Sequence, residues 1–340
     1  MTGDGVSPET TATLLLCGGF APTRRDEPAE PLNVSEFNRV LAMLANQGRT
    51  LADGLNTEVI DDLIHEPAMP GKIADRLPLL MQRTTALEMA VQRWSSMGFW
   101  VLDRTDSRYP ERFREHLGES APPLLYGTGD WELLNRDLQR VAVVGSRDID
   151  DDAETFARNV GGQAAANGMI TVSGGARGAD RSAIDAALEA GGLAIAILPG
   201  ALEQVATSRA YRSAIADGWM LAVSPYHPRA KFTAGNAMGR NRLIYCLSDV
   251  GIVVESAEGS GGTWSGATET LENDWVPVGV RAGEAMSAGN RALIDGGGLP
   301  IEPSDLSDPD RFASWFARTT ESHSPTPAGS DSQQLGLFDR

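Results

Sequence analysis

The sequence predicts an α/β protein: a Rossmann-like parallel sheet with helices on both faces, a small helical domain before it and a disordered tail after it. Two patterns carry this. From Arg140 onward six short runs rich in Val, Ile, Leu and Ala alternate with amphipathic segments. Strands apolar on both faces belong in a parallel sheet covered on both sides. Before residue 99 the apolar residues recur at helical spacing instead.

Residues 1–33 are mixed, and TRRDEPAEP reads as a loop. NVSEFNRVLAMLANQG sets Phe37, Val40, Leu41 and Leu44 on one helical face, with Ser35 as the N-cap and Gly48 as the stop. TEVIDDLIHEP and TALEMAVQRWSSMG repeat the pattern, which gives a helical domain over 1–98. Residues 99–139 read as a connector, strand-like in places and punctuated by Pro and Gly. The sheet domain, 140–300, draws strands from RVAVVG, MITVSGG, LAIAILPG, WMLAVSP, DVGIVVES and WVPVGVR. Helices fall at AETFARNVGGQAAANG, DRSAIDAALEAGG, ATSRAYRSAIADG, GNAMGRNRLIYCLS and GTWSGATETLEND. Residues 301–340 turn acidic and then Ser/Pro/Gly-rich, a composition expected to be disordered.

Of the 340 residues 41% are hydrophobic and 22% charged, ordinary for a soluble globular protein. No run approaches the ~20 apolar residues of a membrane span, and the N-terminus lacks the basic start of a signal peptide. Two cysteines, Cys17 and Cys246, give neither a disulfide framework nor metal spacing, so a reducing cytoplasm and no bound metal or cofactor are expected. The formal charge of −17 argues against a whole-surface polyanion binder. Residues 140–300 carry only −5 of it, from 13 Lys/Arg and 18 Asp/Glu, so a local basic groove belongs there.

Ligands of open parallel sheets bind at the carboxyl ends of the strands. Three glycine turns are expected on that edge: Gly145, Ser146 and Arg147; then Ser173, Gly174, Gly175, Arg177, Gly178 and Asp180; then Ser260, Gly261, Gly262 and Thr263. Such turns let backbone N–H groups approach an anion, and the helix that follows favours negative charge. Arg147, Arg177, Arg240 and Arg242 add guanidinium groups suited to phosphate, with Asn241 and Lys231 close by in sequence. Asp180 reads first as an N-cap. Three turns and two loop arginines on one edge point to a phosphate-bearing ligand. His227 lies in a loop between prolines, where a solvated ring is expected, and Glu255 and Glu269 are the carboxylates available for acid–base work. No Walker-type loop and no His/Cys metal spacing occurs. The residues describe a phosphate-backbone or nucleotide-binding domain with no catalytic residue assigned.

Taken in order, SRYPERFREHLGESAPPLLYGTGDWELL, RVAVVGSR, VSGGARGADRSAIDAALEAGG, GRNRLIYCLSDVGIVVES and AGNRALIDGGG resemble the DNA-processing protein A (DprA, or Smf) family over roughly residues 107–300. The resemblance implies a homodimeric single-stranded DNA-binding protein that helps load the RecA recombinase in natural transformation or recombination. It also implies that Arg147, the SGxARGxD loop and Arg240–Asn241–Arg242 line a pocket for DNA phosphates. Several positions depart from the family pattern. Ile184 stands where a histidine is usual, and Ala237 where an aromatic precedes the RNR motif, with Phe232 nearby. A Tyr–Pro pair after the third strand is missing, Ser224–Pro225 replaces a Ser–Glu pair, and the C-terminal winged helix of many members is not expected. Loss of the aromatic implies a lost base-stacking contact, worth ~1–3 kcal/mol in single-strand binders.

GSGGTWSGATE also resembles the GGxGTxxE loop of the lysine decarboxylase-like (LOG) nucleotide hydrolases, which implies a nucleoside-monophosphate phosphoribohydrolase with Glu269 as acid–base residue. A nucleotide sensor in phage defence is a third reading. At the end of the chain Gln334, Leu335, Leu337 and Phe338 in QQLGLFDR resemble the short peptide by which bacterial proteins dock on the DNA polymerase sliding clamp.

Overall fold

The computed structural model describes residues 6–20, 27–284 and 286–323. Six helices open the chain: α1 (Pro8–Cys17), α2 (Val34–Asn46), α3 (Thr57–Ile64), α4 (Gly71–Ala74), α5 (Leu77–Met81) and α6 (Thr84–Ser96). Then come β1 (Phe99–Asp103), α7 (Glu111–Leu117), β2 (Leu124–Thr128), β3 (Arg140–Val144), α8 (Asp151–Ala166), β4 (Ile170–Ser173), α9 (Ala179–Glu189) and β5 (Leu193–Ile197). The second half holds α10 (Leu202–Thr207), α11 (Arg212–Ala216), β6 (Met220–Ser224), α12 (Ala234–Cys246), β7 (Val250–Val253) and α13 (Gly261–Asn273). It ends with β8 (Val278–Arg281), α14 (Ala288–Asp295), β9 (Leu299–Ile301) and α15 (Pro309–Glu321).

One nine-stranded sheet organises the molecule, in the order β1-β2-β6-β5-β4-β3-β7-β8-β9. The seven strands from β6 to β9 run parallel, and β2 and β1 are added antiparallel at one edge. The chain steps outward from β3 through β4 and β5 to β6, then returns through α12 to place β7 on the other side of β3. The topological switch point therefore lies at the carboxyl ends of β3 and β7.

Alternation along each strand divides the core into two faces. Val141, Val143, Val250 and Ile252 pack with α8, α9 and α15. Ala142, Val144, Val172, Ile195 and Val253 pack with α12, α13 and α14. All six strands expected between 140 and 300 are present, β3 to β8. No helix among the described residues is long and apolar enough to cross a membrane.

Several expectations are corrected. The connector over 99–139 is part of the sheet, supplying β1, α7 and β2. The helical domain is not sealed off at residue 98: α2 to α5 enclose a core of their own with one side of α1, whereas Leu14, Leu15, Leu87 and Trp94 of α1 and α6 pack with Tyr126, Ala194 and Ala196 of the sheet. The N-cap of α2 is Asn33, not Ser35, in a reciprocal capping box with Glu36. The single helix expected over ATSRAYRSAIADG is two, α10 and α11, broken at Ser208. Residues 301–323 are folded rather than disordered: Ile301 lies in β9, and Phe312, Trp315 and Phe316 of α15 are buried against the sheet. The clamp-like residues Gln334, Leu335, Leu337 and Phe338 lie outside the described residues.

Candidate functional site

β3 is followed by Gly145, where a side chain has no room: a Cβ would stand 3.2 Å from that of Val254 and closer still to that of Ala179. The turn is tied to the end of β7 by a hydrogen bond from Ser146 N–H to the Glu255 carbonyl, 2.9 Å. The Ser146 carbonyl accepts from Ala179 N–H at 3.3 Å, which joins the turn to α9. Gly178, at φ +86°, passes so close to the Ser146 and Arg147 carbonyls that only glycine fits. The turns after β3, β4 and β7 thus meet at the switch point.

Within this frame the expected anion ligands separate into rim and interior. Arg147 is exposed and lies over the Phe232 ring, its guanidinium carbon 4.4 Å from the centroid. Phe232 itself is 48% exposed, and Lys231 beside it is exposed. Arg177 reaches from the β4 turn to pair with Asp148, both largely in solvent. The Lys231–Phe232 segment is held in place by the turn after β5: Ala201 N–H donates to the Ala230 carbonyl at 2.7 Å, and Glu203 N–H to the Pro228 carbonyl at 3.1 Å. Between them opens a cavity of about 500 Å³ lined by Gln204, Thr207, Arg229, Lys231 and Phe232.

Ser173, Asp180 and Arg240, expected to face an anion, are buried. Ser173 Oγ donates to the Val143 carbonyl at 2.6 Å and stitches β4 to β3. Asp180 is the second residue of α9, not its N-cap, and its carboxyl sits near the backbone amides of Ala176, Gly145 and Gly174, which favour its charged form. Burial pushes its carboxyl up to about 6, against the opposing pull of Arg240 and those amides. Arg240 is 3% exposed, its pKa lowered to about 10 by burial. Its Nη1 and Asp180 Oδ2 flank Gly174 so tightly that any Cβ there would overlap both.

The remaining residues of GRNR diverge from Arg240. Asn241 Nδ2 donates to the Gly262 carbonyl at 2.8 Å and fixes the start of α13, while Arg242 turns to the far side of α12 and donates to the Ser120 carbonyl at 3.3 Å. Ser260, Gly261, Gly262 and Thr263 open α13 with no side-chain cap, Ser260 and Gly261 exposed and the other two half-buried. Gly175, at φ +67°, is half-buried above Leu198.

Two residues read otherwise from the sequence are placed here. His227 is not solvated: its ring packs edge-on against Trp94 and Tyr126, its Nδ1 accepts from Arg229 N–H at 3.1 Å, and burial lowers its pKa to about 4. Phe232 was legible only as an aromatic near Ala237. Its contact with Arg147 joins positions 85 residues apart, and the adjacent Lys231 was the local signal. The carboxylates do not form an acid–base pair. Glu255 pairs with Arg281 at 3.5 Å, and Glu269 lies two turns into α13, its pKa raised by burial and opposed by Arg242. In the GGxGTxxE pattern the glutamate falls on Gly266, where a Cβ would already be 3.1 Å from Asn241 Cβ and 3.3 Å from the Tyr245 ring.

Residues 100–306 match the family model described as DNA recombination-mediator protein A. The chain is 31% identical over 147 residues to protein Smf of Synechocystis, covering 42% of this chain and 36% of that protein. It is 29% identical over 193 residues to a putative DNA processing protein DprA of Mycobacterium tuberculosis, 56% of this chain and 48% of that one. It therefore spans about a third to a half of the curated relatives it matches. In fold it is similar to DprA from Streptococcus pneumoniae, with a TM-score of 0.64 at 23% identity over 91% of this chain and 98% of that one. A DprA from Helicobacter pylori, described for its single-stranded DNA binding mode, gives a TM-score of 0.53 at 24% identity over 66% and 97%. The chain belongs to the DNA recombination-mediator protein A family.

Proposed function

We propose that this protein is a non-catalytic, DprA-like single-stranded DNA-binding factor of DNA processing and recombination. The observation that carries the reading is the exposed Arg147–Phe232 stack beside Lys231, at the switch point of the sheet. A guanidinium and an ammonium supply phosphate contacts, and an exposed aromatic offers a face on which any base stacks. Arg177 extends the cationic rim, and Ser260 and Gly261 at the start of α13 border the same edge. On this reading the exposed ring of Phe232 offers a base the stacking face that Ala237 does not.

An anisotropy titration with a single-stranded oligonucleotide tests this. Arg147→Ala is expected to lower the log–log salt slope by ~0.7, one phosphate's worth on single strands. Phe232→Ala is expected to cost ~1–3 kcal/mol and to abolish the preference for an ordinary over an abasic strand. Unchanged binding in both variants would remove the site. Family membership and the site favour this over a nucleotide hydrolase, because Gly266 stands where that chemistry needs its glutamate and a Cβ there would already crowd Asn241 and Tyr245. Incubation with nucleoside monophosphates should release no base.

The finer assignments belong to the same reading: a cytoplasmic homodimer that passes the strand to a RecA-type recombinase and docks on the sliding clamp through Gln334, Leu335, Leu337 and Phe338. A clamp pull-down should lose its signal when Leu337 and Phe338 become alanine, and sedimentation should give a dimer mass.

A further inference from the structure

We propose that Glu203 and His227 are positioning residues through which helix α6, from the helical domain, holds the Lys231–Phe232 segment in place for a DNA strand. The helical domain thereby shares in the grip without touching the strand. The inference rests on the single-strand reading above.

Lys231 and Phe232 stand in the stretch between β6 and α12, exposed and outside both elements. A loop that must order itself on binding gives up affinity, so a loop held in advance binds more tightly. His227 supplies the first hold. Its ring lies edge-on to Trp94 of α6, 5.7 Å between centroids, and to Tyr126 of β2, 6.3 Å. Trp94 and Tyr126 belong to the core that joins α6 to the sheet. From that anchored ring the segment folds back on itself: Nδ1 accepts from Arg229 N–H at 3.1 Å, and the His227 carbonyl from Ala230 N–H at 2.7 Å.

Glu203, in α10, supplies the second hold. Its N–H donates to the Pro228 carbonyl, and its carboxylate is shared: Oε1 accepts from Arg93 Nη2 of α6 at 3.2 Å, and Oε2 faces Arg229 Nε at 3.5 Å. One residue therefore ties together the backbone of the segment, a side chain of the segment and a side chain of the helical domain. Shortly before it, Ala201 holds a left-handed φ of +56°, a conformation kept only where the surroundings dictate it, and gives its N–H to the Ala230 carbonyl at 2.7 Å. Gly200 passes so close to that carbonyl that a Cβ would lie 2.5 Å from it. The chain is thus fixed from His227 to Ala230, immediately before Lys231, and the Phe232 ring arrives where Arg147 lies over it.

Arg93, Glu203 and Arg229 are all partly in solvent, and ion pairs of that kind add little to stability, so Glu203 can be changed in a folded chain. Glu203 lines the cavity beside Lys231 and Phe232. Coulomb attraction alone predicts that removing a carboxylate there tightens DNA binding; the positioning role predicts the opposite sign. In anisotropy titrations of the full chain with a single-stranded oligonucleotide at one fixed salt concentration, Glu203→Ala and His227→Leu are each expected to weaken binding roughly fivefold. Glu203→Gln keeps an acceptor for Arg93 and should recover most of the affinity. In a chain that also carries Lys231→Ala and Phe232→Ala, Glu203→Ala should change affinity by less than about twofold, since nothing is left to position. Unchanged or tighter binding in Glu203→Ala overturns the proposal, and so does wild-type affinity in His227→Leu; where the leucine variant does not fold, Glu203→Ala decides. An undiminished loss in the Lys231→Ala, Phe232→Ala background overturns it too, because Glu203 then acts elsewhere. If that background itself binds like the wild type, the segment is not the DNA site. Such a result removes the reading on which the proposal rests, whereas the others remove the proposal alone.

Discussion

Asp180 and His227 change charge over the same pH interval with opposite consequences for stability. Burial raises Asp180 to about 6, above the ~3.9 of an unfolded aspartate, so between those values the folded chain holds the extra proton. Its contribution is complete below about pH 4 and is lost as the pH rises through 6. Burial lowers His227 to about 4, below the ~6.5 of a free imidazole, so there the unfolded chain holds the extra proton. That contribution is complete above about pH 6.5 and is lost on acidification towards 4. The two offset each other in the wild type. Melting temperatures measured across this interval should fall more steeply on acidification in Asp180→Asn than in the wild type, and less steeply in His227→Gln. Parallel profiles for all three proteins would refute both assignments. Such behaviour could not be read from sequence, because ADRSA and YHPRA show neither the three amides around one side chain nor the Trp94 and Tyr126 rings around the other.

Helices and strands were legible to the extent that their burial pattern is periodic. The strands β3 to β8 are apolar on both faces and bounded by Gly or Pro, so they stand out. β9 spans three residues and contains Pro300, and β1 and β2 lie among polar turns, so they do not. α15 hides behind acidic neighbours, although its signals are ordinary: Asp308 caps it, Pro309 begins it, and Phe312, Trp315, Phe316 and Thr319 recur at i, i+3, i+4 and i+7. The divergence of Arg240, Asn241 and Arg242 was also foreseeable, since adjacent residues on a helix do not face one another. α15 covers β7 and β8, with Trp315 lying over Gly279 and its Nε1–H donating to the Pro300 carbonyl at 3.2 Å. Phe316→Ala leaves a cavity in that layer and should cost ~3–5 kcal/mol in urea unfolding. A loss below about 1 kcal/mol, the scale of an ordinary surface change, would mean that α15 is not part of the cooperative core.

The whole molecule sets a small cationic rim against a formal charge of −17, of which −12 lies outside residues 140–300. On the proposed reading, which part a DNA strand would sense depends on the screening length, about 30 Å at 0.01 M salt and about 10 Å at 0.1 M. At the lower salt an approaching strand feels the acidic surface as a whole and is repelled; at the higher it feels chiefly Arg147, Arg177 and Lys231 as it reaches them. The association rate should therefore rise from 0.01 to 0.1 M, on the order of several-fold, instead of falling steeply as it does for electrostatically steered binders. Dissociation should quicken over the same range as the rim contacts are screened, so the affinity still declines with salt. Stopped-flow mixing with a labelled oligonucleotide measures both rates. An association rate that falls monotonically from the lowest salt would show that a basic surface larger than this rim guides the strand.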